Sequence, residues 1–237
     1  LEIAKKNPDA LEVSLGLRNQ NALEQIHALR DGAQCLAENL DALSGAVREI
    51  VAAAGSRDGE AAQVAANLVE ANLRGHDSHG VGMVPRYVDA VLEGGLAVNA
   101  HVAVRQDGGA LLTLDGQRGY GQVIGREAME LGAARARAHG VCVVGLAHSH
   151  HLGRIGEWAE QCIGHGLVSI HFVNVLSRPI VAPFGGRDAR LGTNPFCVGI
   201  PRPGGEPIVL DFATSKIAQG KTRVAFNKGV QVDPGTL

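Results

Sequence analysis

The chain has 237 residues, of which 45% are hydrophobic, and a formal net charge of −2 at pH 7. The balanced charge argues against a polyanion-binding surface, and no apolar run approaches the roughly 20 residues that span a bilayer. Four scattered cysteines without a C-x-x-C pair argue against a disulfide framework or a zinc cage. We therefore expect a globular, cytoplasmic protein without nucleic-acid or membrane partners.

Helical patterns dominate the first part of the chain. The stretch up to Asp41 is helical in character but interrupted, and its role stays unassigned. From Leu43, apolar residues recur at helical spacing until Gly55, and a second helix is expected with Asp58 as its N-cap. Together with the polar motif that follows, these helices predict a helical subdomain over residues 1–95.

The first polar motif follows the second helix and reads Arg74-Gly75-His76-Asp77-Ser78-His79-Gly80. A histidine beside a hydroxyl and a carboxylate can be oriented and held in one tautomer, which suits acid/base chemistry near neutral pH. The same residues would also suit a polar turn after a helix, because Asp, Ser and Gly are common turn residues. Both interpretations stay open for this motif taken alone.

An α/β pattern follows over residues 96–237. Short strands are predicted at residues 101–105 and 110–115, and the sequence Asp107-Gly108-Gly109 between them is typical of a hairpin turn. Residues 122–139 carry a helical pattern that ends before a glycine. This part of the chain therefore predicts an antiparallel hairpin followed by a helix.

The strands of the remaining segment are predicted from short apolar runs. Residues 141–146 form a continuous apolar run, which favours a strand buried on both faces. A helix around Trp158 follows, and then strands at residues 167–173, 197–200 and 207–211. The order strand, helix, strand predicts that the strands at residues 141–146 and 167–173 pair in parallel.

A second histidine cluster lies between the strand and the helix, with the sequence His148-Ser149-His150-His151-Leu152-Gly153-Arg154. Ligands of α/β proteins collect at the carboxyl ends of strands, and helix N-termini attract phosphate or carboxylate while disfavouring imidazolium. The position therefore predicts proton transfer or cofactor contact. The alternatives are a metal-binding or a solvent-facing run, and metal is the weaker one because the cluster contains no acidic residue.

Two further polar motifs lie at predicted strand ends. Gly192-Thr193-Asn194-Pro195 precedes a strand, and Asp211-Phe212-Ala213-Thr214-Ser215 follows one. Their hydroxyl and amide groups could bind ribose and phosphate, or they could only stabilise turns. Neither a G-x-G-x-x-G fingerprint nor a Walker A loop occurs, so a dinucleotide would need another architecture.

Five motifs occur in a fixed order along the chain. They are Gly75-His76-Asp77-Ser78-His79-Gly80-Val81 with Pro85-Arg86-Tyr87, Ser149-His150-His151, Pro183-Phe184-Gly185-Gly186, Gly192-Thr193-Asn194-Pro195, and Asp211-Phe212-Ala213-Thr214-Ser215 with Gly220-Lys221. In this order they resemble the malate/L-lactate/L-sulfolactate dehydrogenase family, from about Leu43 to the end. The resemblance implies an α/β fold whose mixed-sheet, non-Rossmann layer binds NAD or NADP.

The resemblance also implies an activity. It is the transfer of a hydride between the nicotinamide and C2 of a small 2-hydroxy or 2-oxo acid such as malate or lactate. The same family contains ureidoglycolate dehydrogenases and cyclic imino-acid reductases, which stay as alternatives. The sequence decides neither the acid nor the choice between NAD and NADP.

Roles for individual residues are implied by the same resemblance. His79, oriented by Ser78, and His151 are the implied acid/base groups, and Lys221 is placed with them. Which histidine moves the proton stays open. The implied cofactor contacts are His151, Leu152, Gly153, Arg154, Ile155, Asn174, Thr193, Asn194, Asp211, Thr214 and Ser215. The implied substrate contacts are Arg86 and Thr193, and no metal is expected.

Two features depart from the family pattern. Met83 stands where some relatives have an arginine suited to a substrate carboxylate, so Arg86 becomes the candidate for that role. Family chains also continue beyond the position equivalent to Leu237, and the sequence is expected to lack their C-terminal segment. The resemblance further implies a homodimer with sites completed across the subunit boundary.

Two alternatives come from other functional classes. One is a metal-dependent hydrolase in which the two histidine clusters supply the ligands. The other is a binding module that has kept the fold without catalysis. Metal analysis would separate the first from a dehydrogenase, and NAD(P)H fluorescence on binding would separate the second.

Overall fold

The computed structural model describes residues 20–176 and 179–233, so part of the stretch without an assigned role lies outside the described residues. The chain forms two units, residues 1–45 and residues 46–237. The helices are α1 Gln20–Ala53, α2 Asp58–Leu73, α3 Val84–Leu92, α4 Gly121–His139, α5 Gly156–Gly164 and α6 Gln219–Asn227. The strands are β1 Ala103–Asp107, β2 Leu111–Asp115, β3 Val143–Ala147, β4 Ser169–Phe172, β5 Phe196–Ile200 and β6 Ile208–Phe212.

Helix α2 forms the centre of the first hydrophobic core. Its apolar face is buried together with the end of α1, the start of α3 and the aromatic ring of Tyr87. The expected N-cap role of Asp58 is wrong, because Arg57 is the N-cap residue and no side chain caps the helix. Asp58 instead lies in the first turn, where its Oδ1 accepts a hydrogen bond from Arg48 Nε at 2.7 Å.

The first sheet contains β1, β2 and β3, in that order. The predicted hairpin is confirmed, since β1 and β2 are antiparallel and Gly109 adopts a φ of +75° in the turn. Strands β2 and β3 are parallel, and α4 connects them. The sheet is therefore mixed, and the predicted α/β class with a mixed sheet is confirmed.

The predicted parallel pairing across α5 is wrong. Strand β4 belongs to a second sheet, in the order β4-β5-β6, in which both pairings are antiparallel. The parallel unit lies one step earlier in the chain, as β2-α4-β3. Helix α5 packs on β5 instead, where a Cβ at Gly199 would lie 2.9 Å from Ala159 Cβ.

Each sheet leaves one face exposed within the described residues. Strand β3 alternates between exposed and half-buried residues, with Val143 60% exposed, so its predicted burial on both faces is wrong. On the second sheet, Phe172, Phe196 and Phe212 form a row across the three strands, with ring centroids 5.2 and 5.7 Å apart. Phe172 is 80% exposed. None of the described helices is apolar and long enough to cross a membrane.

Candidate active site

The first histidine motif forms a tight 3-10 turn, Asp77–His79, after the end of α2. Asn72 organises this turn, because its Nδ2 donates to Asp77 Oδ1 and its Oδ1 accepts from Val81 N, both at 2.8 Å. A Cβ at Gly80 would lie 2.0 Å from Asn72 Oδ1, so glycine is needed there. Asp77 thus has a structural role in the turn that presents Ser78 and His79.

The two histidine motifs meet at a stacked pair of imidazoles. The rings of His79 and His151 have centroids 5.5 Å apart and an interplanar angle of 5°. Ser78 Oγ lies 3.0 Å from His79 Nδ1. The structure therefore brings together three residues that the sequence placed in the catalytic group, from segments about 70 residues apart in the printed sequence.

A buried tyrosine lies within hydrogen-bond distance of His151. Tyr87 Oη lies 2.8 Å from His151 Nδ1, and Gln122 Nε2 donates to Tyr87 Oη at 2.8 Å. Tyr87 and Gln122 are both almost completely buried. The sequence assigned no role to either residue, although Tyr87 belongs to one of the motifs that carry the family resemblance.

Burial makes both imidazoles of the pair weak bases in the free protein. It lowers the pKa of His79 to about 4 and the pKa of His151 to about 3, and charge repulsion lowers both further, from His76 on His79 and from His79 on His151. Burial also lowers the pKa of His76 and that of His150. The site therefore presents neutral imidazoles at neutral pH.

Helix α6 closes one side of the site. A Cβ at Gly220 would lie 2.4 Å from Ser78 Cβ, so the helix approaches the 3-10 turn Asp77–His79 as closely as its backbone allows. Arg223 Nη2 donates to Ser78 O at 3.0 Å, and its Nη1 lies 3.2 Å from Met83 Sδ. The sequence analysis assigned no role to Arg223, which lies on the same helix as Lys221, and it did not predict this helix.

Positive charge surrounds the imidazole pair. Arg223 lowers the pKa of both His79 and His151, and Arg86 lowers the pKa of His151 and that of His150. Lys221 contributes in the same direction to the pKa of His76. Two arginines and a lysine thus lie close enough to the histidines to attract an anionic group.

The loop between β3 and α5 is firmly anchored. Trp158 Nε1 donates to Leu152 O at 3.1 Å, and Gly153 adopts a φ of +71°. Arg154 is buried and forms an ion pair with Glu160 at 2.7 Å, while Ile155 belongs to the hydrophobic core. In this segment the side chains stabilise the loop, and Gly153 itself is buried, where a Cβ would lie 3.2 Å from Asn67 Oδ1.

The other expected cofactor residues gather at one end of the second sheet. The register places the end of β4, the start of β5 and the end of β6 side by side. Thr214 Oγ1 donates to Asn194 O at 3.0 Å, and Asn194 Oδ1 accepts from Val175 N at 2.9 Å. Exposed Asn174 and half-buried Thr193 lie at the same end.

Two residues of the β6 motif make hydrogen bonds, one to the start of α5 and one within the loop after β6. Asp211 Oδ2 accepts a hydrogen bond from Gly156 N, at the start of α5, at 2.7 Å. Ser215 Oγ donates to Ile217 O at 2.7 Å. Asp211 also acts electrostatically on His79, whose pKa it raises against the larger effect of burial. This carboxylate therefore links the sheet to the histidine site.

A metal site was one of the alternatives drawn from the sequence. Within residues 20–176 and 179–233, no group of three or more His, Cys, Asp or Glu side chains is arranged to hold a metal ion. That part of the chain therefore provides no set of ligands for the metal-dependent hydrolase.

Comparison with known proteins gives consistent matches. Residues 39–237 match the family described as malate/L-lactate dehydrogenase. The chain is 57% identical over 183 residues to hydroxycarboxylate dehydrogenase B of Escherichia coli K12, a match that covers 77% of this chain and 51% of that protein. The chain therefore spans about half the length of this relative.

Solved structures give the same result. Malate dehydrogenase from Pyrococcus horikoshii OT3 superposes with a TM-score of 0.72 at 37% identity, covering 77% of this chain and 51% of that one. Delta1-piperideine-2-carboxylate reductase from Pseudomonas syringae pv. tomato superposes with a TM-score of 0.74 at 33% identity, covering 82% and 58%. The described architecture is thus shared with both proteins.

Proposed function

Because this chain belongs to the malate/L-lactate dehydrogenase family, we propose that it carries the proton-transfer site of an NAD(P)-dependent oxidoreductase acting on a small 2-hydroxy or 2-oxo acid. The observation that carries the proposal is the stacked His79–His151 pair, with Arg86 and Arg223 close to the pair and Lys221 close to His76. Neutral imidazoles accept or share a proton, and the cations attract a carboxylate.

Proton transfer by a histidine solves a specific chemical problem. Oxidation of a 2-hydroxy acid without loss of the hydroxyl proton would leave a protonated carbonyl of high energy. A neutral imidazole of the pair takes that proton. An anionic substrate beside the pair would raise the pKa of both rings, which makes each a better base than in the free protein.

The residues present fit a nicotinamide cofactor by their chemistry. In the described part of the chain, His150 Nδ1 is buried without a hydrogen-bond partner, in the loop expected to contact the cofactor. It offers a polar contact for a ribose hydroxyl or a carboxamide. The hydroxyl residues Thr193, Thr214 and Ser215 supply further contacts at the sheet end. Bound NAD(P) would supply the hydride acceptor or donor.

Substrate recognition is proposed to use the arginines. Arg86 is exposed on α3 and acts on the pKa of His151, whereas Arg223 is half-buried and bonded to the Ser78 carbonyl. Arg86 therefore has the freedom to meet a substrate carboxylate, with Thr193 as a further proposed contact. The reductase named above fits an alternative within the family, in which a histidine of the pair protonates a cyclic imine.

A substrate panel tests this function. The full-length protein is incubated with L-malate, L-lactate, L-sulfolactate, ureidoglycolate or a cyclic imino acid, each with NAD and NADP, and the absorbance of the reduced nicotinamide is followed. We expect turnover with at least one acid, and a loss of kcat of about 10²–10⁴-fold in His79→Ala or His151→Ala. A folded protein that binds NAD(P)H without turning over any substrate would favour the binding module instead.

A further inference from the structure

The hydrogen-bond chain from Gln122 through Tyr87 to His151 has a direction. Gln122 Nε2 donates to Tyr87 Oη, and these are 2.8 Å apart, the same distance as from Tyr87 Oη to His151 Nδ1. Burial raises the pKa of Tyr87 well above its usual value, so the phenol keeps its proton. Since the phenol oxygen already accepts the amide N–H, its own proton is directed to His151 Nδ1.

The orientation of the Gln122 amide decides this direction. With Nε2 facing Tyr87, Gln122 Oε1 is buried without a partner among the described residues. The reversed amide would place the two N–H groups of Nε2 in that position. Buried N–H groups without a partner are rarer than buried carbonyl oxygens without one, so the observed orientation is the less costly one.

We propose that Tyr87, held by Gln122, fixes His151 as the Nε2–H tautomer, and that His79 is the group that takes the hydroxyl proton. This assignment rests on the proposed function and divides the two roles within it. A neutral imidazole that accepts a hydrogen bond at Nδ1 carries its proton on Nε2 and has no lone pair there. His151 can therefore donate to the substrate oxygen but cannot remove its proton.

In this proposal His79 adopts the complementary tautomer. Its Nδ1 lies 3.0 Å from Ser78 Oγ, and an Nδ1–H that donates to this oxygen leaves a lone pair on Nε2. In the oxidation, the substrate O–H bond breaks and its proton binds His79 Nε2. The oxygen electrons form the C=O bond, and a bound oxidised nicotinamide would accept the C2–H electron pair as hydride. His151 Nε2–H stabilises the oxygen throughout, while Tyr87 and Gln122 act as positioning residues.

Nitrogen NMR on the full-length protein labelled with ¹⁵N-histidine tests the tautomer directly, without turnover. At pH 7 we expect His151 to show a protonated Nε2 and an unprotonated Nδ1. In Tyr87→Phe the Nδ1 resonance should shift, because its lone pair loses the phenol proton. Tyr120→Phe is the matched control. The ring of Tyr120 packs against Tyr87, but its hydroxyl lies near Ser56 and takes no part in the hydrogen bonds from Gln122 to His151. The Nδ1 resonance of His151 should therefore not shift in this variant.

Glutamine substitutions test the two roles kinetically. The glutamine amide can place an N–H where histidine has Nε2–H, but it cannot take up a proton. His151→Gln should therefore lose at least about 10-fold less of kcat than His151→Ala, which removes the donor to the substrate oxygen altogether. His79→Gln should lose about 10²–10⁴-fold, as much as His79→Ala.

Two results would overturn the assignment. One is a protonated Nδ1 on His151 in the wild-type protein, which would give Nε2 the lone pair of a base. The other is a His151→Gln variant as inactive as His151→Ala while His79→Gln stays active. Failure of the dehydrogenase proposal is distinct from both, because it would appear as wild-type protein without turnover whatever the tautomer.

Discussion

At the scale of single residues, the central feature is a pair of histidines removed from water. Their neutral state results from burial, and it is maintained although Asp211 lies close enough to favour the charged form of His79. Arg223 and Arg86 act in the opposite direction. The burial and the nearby arginines keep the two imidazoles neutral. For the same reason they make the folded protein less stable in acid.

This cost predicts a pH dependence of stability. The pKa of His79 falls to about 4 and that of His151 to about 3, whereas a histidine in the unfolded chain titrates near 6.5. Below pH 6.5 these histidines bind protons in the unfolded chain but not in the folded chain. The free energy of unfolding therefore decreases as pH falls from about 6.5 toward 4. Each pKa unit corresponds to about 1.4 kcal/mol.

Thermal unfolding between pH 7 and pH 5 measures this effect. The midpoint should fall with pH in the wild-type protein and fall less in the double variant His79→Gln/His151→Gln. An equally steep decline in the double variant would assign the acid sensitivity to other groups.

At the scale of elements, the site depends on close contact between α4 and the loop that carries His151. A Cβ on Gly121, the first residue of α4, would lie 2.1 Å from His151 O. A Cβ on Gly125, one turn later, would lie 2.7 Å from the ring of Trp158. Glycines in α4 therefore set the distance between the helix and this loop.

The variant Gly121→Ala tests that contact. Because the clash is with backbone, the helix must move, and we expect a loss of about 1–3 kcal/mol of stability together with a lower kcat. Gly45→Ala is the control, since no atom lies within 4 Å of its Cβ and a mid-helix alanine should stabilise by about 0.5–1 kcal/mol. Urea unfolding and turnover measure both, and an unchanged Gly121→Ala protein would contradict the contact.

At the scale of the whole molecule, we expect the full-length protein to be a homodimer. The family resemblance implies sites shared between subunits, and two-fold dimers are the most common soluble assemblies. Light scattering at assay concentration checks this expectation. A monomer with full activity would show that each chain completes its own site, and it would leave the assignment of His79 and His151 intact.

Residue patterns were enough to predict the hairpin and most of the helices and strands, though not α3 or α6, and to indicate the chemistry of the two histidine motifs. Hairpin, helices and strands came from periodicity and turn residues, which act over a few positions. The two histidine motifs were singled out because imidazoles occur there beside a hydroxyl or at a strand end, and the family resemblance then implied catalytic roles for Ser78, His79 and His151.

The contacts between these elements became known from the folded chain alone. The pairing of β4 with β5 rather than β3, the roles of Tyr87 and Gln122, and the hydrogen bond from Arg223 to Ser78 all required it. His151 is 64 residues from Tyr87, and Ser78 is 145 residues from Arg223. Such contacts form because the buried polar groups must find partners in the folded chain, and no pattern of neighbouring residues records which partner they find.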